Sequence, residues 1–268
     1  MSEPRSLVQK QFGAHAAGYA TSPVHAKGAS LRRLIDLVQP EKHWRALDVA
    51  TGAGHTALAF APHVAEVTAS DITDEMLAEA EKLARARGLA NVIFAKADAM
   101  ALPFADSSFE LVTSRIAPHH FPDIPKFIAE AHRVLTPGGT FGLVDNISPD
   151  ETSTPGFSTE ELREAAVAHN AFEKIRDPSH GRCLTIGEWR TAITDAGFSI
   201  TAVEIVPKEI EFIPWAERMG ADQSTIAQLE GILTGASAAL RAFLRLRQQD
   251  GKLYFSLDEV LIVARKAG

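Results

Sequence analysis

Cysteine is almost absent from the chain. Cys183 stands alone among 268 residues, so no disulfide can close within the chain and no metal cluster can be built around several thiolates. Positive charge is also in short supply. Lys and Arg number 27 against 34 Asp and Glu, a net charge of −7, and basic residues gather no further than pairs such as Arg32-Arg33. DNA and RNA are therefore poor candidates for a partner. No apolar run approaches the ~20 residues that cross a bilayer. The opening residues, Met1 to Gln11, carry Glu3, Arg5 and Lys10 with no apolar stretch behind them. The expectation is a cytoplasmic protein with neither a secretory signal nor an integral membrane span. Internal repeats and low-complexity segments are missing as well.

What is present is ordinary globular material, 46% hydrophobic and 23% charged, in a chain long enough for one substantial α/β domain with an insertion. Up to about residue 150, short β-rich runs alternate with helical spacing. Ala46 to Ala50, Glu66 to Asp71, Val92 to Ala97, Phe109 to Ser114 and Thr140 to Asn146 read as strands. Thr56 to Pro62, Thr73 to Arg87 and Ile124 to Leu135 read as helices. Strict alternation implies right-handed crossovers and a mostly parallel, doubly wound sheet.

After a loop marked by Pro149, Pro155 and Gly156, helices are expected at Thr159 to Lys174 and Ile186 to Ala196, and a long strand at Phe198 to Phe212. A mostly helical stretch then runs from Pro214 to Arg247, with a final strand at Lys252 to Arg265. A late helical insertion followed by a return strand predicts a helical cap over the end of the sheet. The helix around Ser237 to Gln248 sets Leu240, Phe243 and Leu244 apart from Arg241, Arg245 and Arg247. It reads as a membrane-surface helix, a dimer helix or a solvated face, and a homodimer is a possible assembly.

The segment from Ala46 to Thr56 is an apolar strand that runs into a glycine turn and then a helix. Gly52 and Gly54 can take positive φ and let a ligand touch the backbone, and the following helix presents unpaired N–H groups. Asp71 ends the second strand, 19 residues beyond Gly52, where a carboxylate can accept from both hydroxyls of a ribose. Alone, this pattern fits dinucleotide-binding folds equally well, because Gly52, Gly54 and Ala57 satisfy G-x-G-x-x-(G/A).

Four segments in order narrow the choice. They are Asp48 to Gly54, then Ser70-Asp71-Ile72, then Lys96 to Phe104, then His132 to Gly139. In order and spacing they resemble the signature segments of class I S-adenosylmethionine-dependent methyltransferases, in the branch of the ubiquinone and menaquinone C-methyltransferases. The resemblance covers residues 12 to 147, with a weaker echo in Lys252 to Lys266. It implies a Rossmann-like sheet of seven strands with S-adenosylmethionine as cofactor and S-adenosylhomocysteine as product. Ala50, Thr51, Gly52 and Gly54 would wrap the amino-acid end and Asp71 would hold the ribose, with Arg115 a further cofactor-binding candidate. Ile72 and Met76 would flank the adenine, Asp98 would reach its amino group and Ala99 its ring edge; Asp98 also reads as a helix cap or turn residue. Met76 suits the buried face of its own helix equally well. An aromatic at the place of Tyr19 closes over the cofactor in similar enzymes, so Tyr19 is a lid candidate, or else a staple that docks the N-terminal arm.

Methyl transfer from a sulfonium is an in-line displacement, in which a protein aligns donor and acceptor and keeps water out. In open α/β sheets the ligand crevice lies beyond the carboxyl ends of the strands. The stretch after the fourth strand contains His119 and His120, either of which could take a proton from an acceptor or merely shape the pocket. Asp145-Asn146, at the end of the fifth strand, points to the same crevice by topology and departs from the quinone enzymes. Phe157, Phe172, Trp189, Phe212, Trp215, Met219 and Phe243 could roof an apolar acceptor pocket or form core.

The expectation is a single domain, residues 1–268. Residues 1–45 form a helical lid, 46–147 the cofactor-binding core, 148–251 the substrate-side helices with the sixth strand, and 252–268 the final strand. Its reaction is methyl transfer to a small, aromatic or quinone-like acceptor without a metal. An NAD(P)-dependent oxidoreductase is the first competitor. Against it, neither Tyr19 nor Tyr254 has Lys four residues on, so the Tyr/Lys pair of short-chain dehydrogenases is missing. The second competitor is a non-catalytic binding protein on the same fold.

Overall fold

The computed structural model describes residues 3–20 and 28–268, with the backbone alone for residues 3–5, 14–15 and 17–20. The side chain of Tyr19 lies outside the described residues. The chain divides into two compact units, both discontinuous in sequence. The first comprises residues 1–145, 190–204 and 261–268, and the second residues 146–189 and 205–260.

Helices α1 (Glu3–Ala20) and α2 (Ala29–Val38) precede β1 (Arg45–Val49), α3 (His55–Phe60), β2 (Glu66–Asp71), α4 (Asp74–Ala86) and β3 (Val92–Lys96). Next come β4 (Phe109–Arg115), α5 (Ile124–Val134) and β5 (Leu135–Asn146). After α6 (Thr159–Arg176) and α7 (Ile186–Asp195) the chain forms β6 (Phe198–Val206), and β10 (Glu259–Lys266) ends it. The seven strands of the main sheet run in the order β3-β2-β1-β4-β5-β10-β6. Neighbours among β1 to β5 pair in parallel. Leu47, Leu111, Val112, Phe141 and Leu143 have no exposed surface, as the apolar strands of a sheet covered on both faces require. The order reverses between β1 and β4, which opens a crevice beyond their carboxyl ends.

Local chemistry sets the element ends. Asp74 and Glu75 sit at the positive end of α4, and Met76, Ala80 and Ala84, four apart, bury its inner face. On α5 the Asp123 carboxylate accepts from Lys126 N at the first turn, and Ile124, Phe127, Ile128, Ala131 and Val134 form the buried stripe. Strand β5 starts five residues before the expected Thr140. Leu135 pairs with Phe109 and Thr140 with Leu111, so residues 136–139 bulge outward, with Gly138 at φ 76°.

The second unit holds α6, α8 (Phe212–Glu217), α9 (Gln223–Thr234) and α10 (Ala238–Leu244). Beside them β7 (Glu209–Glu211), β9 (Lys252–Ser256) and β8 (Arg247–Gln249) form a separate antiparallel sheet in that order. Two expected strands are thus each cut in two. Phe198 to Phe212 breaks at Pro207, which has no N–H for a ladder, and Lys252 to Arg265 breaks at Leu257-Asp258 where the chain changes sheets.

Ser158 and Glu161 form a reciprocal capping box at the start of α6. Phe172 stacks on Trp215 at 5.0 Å between ring centroids, Phe255 meets both rings edge-on, and Arg176 lies 4.3 Å from the Trp215 centroid. The aromatic residues that could have roofed a pocket are largely core, with Phe172, Trp189, Phe212, Trp215 and Phe243 all buried. On α10 the face made by Leu240, Phe243 and Leu244 is buried, and Arg245 and Arg247 pair with Asp258 and Glu209. The apolar side of this helix is thus taken up by the chain's own packing. No described helix is long and apolar enough to cross a membrane.

Candidate active site

The turn after β1 is built on two buried carboxylates. Asp48 accepts from Thr51 Oγ1 at 2.6 Å, from Ala57 N at 3.2 Å and from Thr113 Oγ1 at 2.7 Å, which ties β1, the turn, α3 and β4 to one side chain. Burial pushes its carboxyl up to about 6, against these hydrogen bonds and the nearby Arg115 charge. Asp71 accepts from Gly52 N at 2.8 Å and from Thr73 N at 2.9 Å. Burial raises its pKa while those two amides hold it down. Asp71 keeps a little exposed surface on the cleft, where a carboxylate can accept from a ligand hydroxyl.

Around this turn lies a cleft of about 1030 Å³, counting space open to solvent. Ala50, Thr51, Gly52 and Asp71 line one part of it, with Ile72, Met76, Asp98 and Ala99 beside them. Gly52 has φ 54°, and a Cβ there would meet nothing within 4 Å. The site therefore leaves backbone open where a ligand can press against it. Ala50 and Ile116, both on the cleft wall, also take positive φ, at 54° and 53°. For a β-branched Ile116 this is a strained conformation, of the kind that gathers at ligand sites.

The segment after β4 forms another wall with Arg115, Ile116, Ala117, His120, Phe121 and Pro122, and α1 adds Val8 and Phe12. Arg115 Nε donates to Thr56 Oγ1 at 3.0 Å, and Gln9 Nε2 on α1 donates to Ile72 O at 2.9 Å. Phe12 meets the His120 ring edge-on at 5.0 Å.

His119 is placed differently from His120. It is buried, with Nδ1 2.6 Å from Asp145 Oδ1, and Asp145 has no exposed surface. Its ring centroid lies 4.2 Å from that of His120. Gly54, expected among the wrapping residues, does not line the cleft. It has φ 84°, and a Cβ on it would fall 2.8 Å from Ala80 Cβ, so it lets α3 approach α4. Gly54→Ala should therefore lose ~2–4 kcal/mol of stability, from overpacking plus left-handed strain. A urea titration checks this, and an unchanged midpoint would contradict it. Asn146 accepts from Lys208 Nζ at 3.4 Å within the second unit. Sequence reading missed Asp48 as the anchor of the turn, although its place three residues before Thr51 was a usable signal. Phe121 and Pro122 lie in the stretch after β4 that topology directs to the crevice, and Val8 and Phe12 in the segment expected as a lid, but none of the four carried a signal of its own.

The side chains present suit S-adenosylmethionine. Open backbone at Gly52, an Asp71 acceptor pair, an apolar slot from Ile72 and Met76 with Asp98 beside it, and Arg115 as a cation match a nucleoside with an amino-acid arm. Among the described residues no group of three or more His, Cys, Asp or Glu could hold a metal.

The methyltransferase domain family matches residues 47–143. The chain is 33% identical to YcgJ of Bacillus subtilis, named an uncharacterised methyltransferase, over 94% of this chain and 96% of that one. The crystal structure of YcgJ superposes with a TM-score of 0.80 over 89% of this chain and 98% of that one. The ubiquinone/menaquinone biosynthesis C-methyltransferase UbiE of Brucella anthropi is 30% identical over 80% of this chain and 76% of its own length. The strand-turn-helix cradle and these relatives agree: the chain belongs to the Rossmann-like S-adenosylmethionine-dependent methyltransferases, with S-adenosylmethionine as its cofactor.

Proposed function

We propose that the enzyme methylates a small, largely apolar acceptor of aromatic or quinone-like type, with His120 as the group that meets it. The observation that supports this reading is the apolar part of the cleft lining made by Ile116, Ala117, Phe121 and Pro122 with Val8 and Phe12, with the His120 imidazole set among them and Arg115 and His55 also on the cleft. Similarity to the quinone C-methyltransferases supports the acceptor class, and the net charge of −7 argues against a nucleic acid. When bound, S-adenosylmethionine supplies an electrophilic methyl group on a sulfonium. Asp71 would accept from the ribose hydroxyls, Ile72 and Met76 would flank the adenine, and Asp98 and Ala99 would meet its edge. Gly52, Thr51 and Ala50 would hold the amino-acid arm, with Arg115 as a nearby cation. His120 takes the acceptor's proton where one must leave. His119, held by Asp145, fixes the position of the His120 ring. The apolar wall excludes water.

The reading is tested with radiolabelled S-adenosylmethionine and a panel of phenols, catechols and demethylated quinols, with transfer RNA as a control. Label is expected in a small molecule and not in the RNA; label in the RNA alone would overturn the acceptor class. Asp71→Ala should weaken S-adenosylhomocysteine binding by ~1.5–3 kcal/mol, the range for losing charge-assisted hydrogen bonds. Calorimetric titration reads this directly. The same titration with NADH should show no saturable binding to the wild type, and saturable binding of NADH alone would favour an oxidoreductase.

A further inference from the structure

Between β3 and β4 the chain makes a long connection whose first residues, Ala97 to Met100, line the cleft. Its entry is tied to the ribose site, since Ala97 N donates to Asp71 O at 2.9 Å. Asp98 then closes a tight turn, accepting at Oδ1 from Met100 N at 3.0 Å and at its carbonyl from Ala101 N at 2.9 Å. The exit of that turn has no strand to lean on. Side chains of α5 take the place of one.

Glu130 Oε2 accepts from Leu102 N at 2.7 Å, and Arg133 Nη2 donates to Leu102 O at 2.9 Å, so both backbone groups of Leu102 are satisfied by one ion pair. Arg133 Nη1 donates to Phe104 O at 2.8 Å and to Asp106 Oδ1 at 2.7 Å. Its Nε and Nη2 donate to the two Glu130 oxygens, both at 2.8 Å. A guanidinium has five N–H donors in a fixed fork, and this geometry engages all of them. An ammonium offers three, on a flexible stem.

The geometry points to Arg133, with Glu130, as a positioning residue for base recognition: it sets the Asp98 turn against the adenine and acts through Asp98 without touching the cofactor. This rests on the assignment of Asp98 to the adenine amino group. A clamp that merely stabilised the fold would weaken all ligands alike, whereas one that places Asp98 controls the choice of base.

The experiment compares the Kd of S-adenosylhomocysteine with that of S-inosylhomocysteine, which carries a ring carbonyl in place of the amino group. The wild type should prefer the adenine form by about tenfold or more, as expected for a lost hydrogen bond to a charged group. Asp98→Ala should abolish that preference. Arg133→Lys should reduce it to within about threefold of unity while the chain still unfolds cooperatively. Glu130→Gln, which keeps the shape of the side chain, should shift the ratio in the same direction and serves if Arg133→Lys does not fold. Asp106→Ala, at the exposed rim of the clamp, should keep the wild-type ratio. If Asp98→Ala loses the preference while Arg133→Lys or Glu130→Gln retains it, the clamp proposal is overturned and the Asp98 assignment stands. A wild type indifferent to the base overturns both.

Discussion

Gly52→Val is expected to abolish binding of S-adenosylhomocysteine, a loss of ~10²-fold or more, in a chain that still unfolds cooperatively. Gly52 sits at φ 54°, where a β-branched residue costs ~1–2 kcal/mol, and no protein atom lies within 4 Å of the Cβ it lacks. The new side chain would enter the cleft and not the core, on the edge where Asp71 accepts from Gly52 N. Gly54, two residues on, shows the opposite geometry, with a Cβ position 2.8 Å from Ala80. The two glycines of one motif therefore separate: substitution at Gly52 costs affinity, and substitution at Gly54 costs stability. Calorimetry with S-adenosylhomocysteine decides the first, and wild-type affinity in Gly52→Val would remove the turn from the binding site.

His120→Ala should lower kcat by ~10²-fold or more with the cofactor Kd nearly unchanged, the signature of a general base. His120 lines the cleft and touches Phe12, whereas His119 is buried against Asp145. Removing the His119 imidazole leaves the Asp145 carboxylate buried beside a void. His119→Ala is thus expected to lower the unfolding midpoint markedly, a loss that His120→Ala should not share. Single-turnover rates with an identified acceptor, measured alongside thermal unfolding, separate the two histidines. Wild-type kcat in His120→Ala would show that alignment and exclusion of water suffice. A parallel fall in cofactor affinity would mark His120 as part of the cofactor wall.

The first five strands were legible because each is a short β-rich run, largely buried in β1, β2, β4 and β5 and part-exposed in the edge strand β3, and the helices between them carry their own periodicity and breakers. Phe198 to Phe212 and Lys252 to Arg265 were misread for a common reason. Alternation reports that a residue is in a strand but says nothing of which sheet the strand joins. Pro207 carried the break in the first, while Leu257-Asp258 carries no punctuation at all. The early start of β5 was hidden because Pro137-Gly138-Gly139 reads as a loop, and only pairing with Phe109 makes Leu135 part of a strand.

Local chemistry written in consecutive residues, namely the strand, the glycine turn and the acidic residue at the end of β2, was determined by the sequence alone. With it came the fold class, from the alternation of strand and helix along the chain, whereas the cofactor followed from the resemblance of four ordered segments to the class I methyltransferases. The tertiary structure decided what depends on distance in space. It assigned Gly54 to helix packing, separated His119 from His120 by burying one against Asp145, and brought Phe12 of α1 onto the cleft. It also joined Asp48 to Thr113 across 65 positions and Arg133 to Leu102 across 31. Such pairings are set by the packing of whole elements, which no local pattern of residue types encodes.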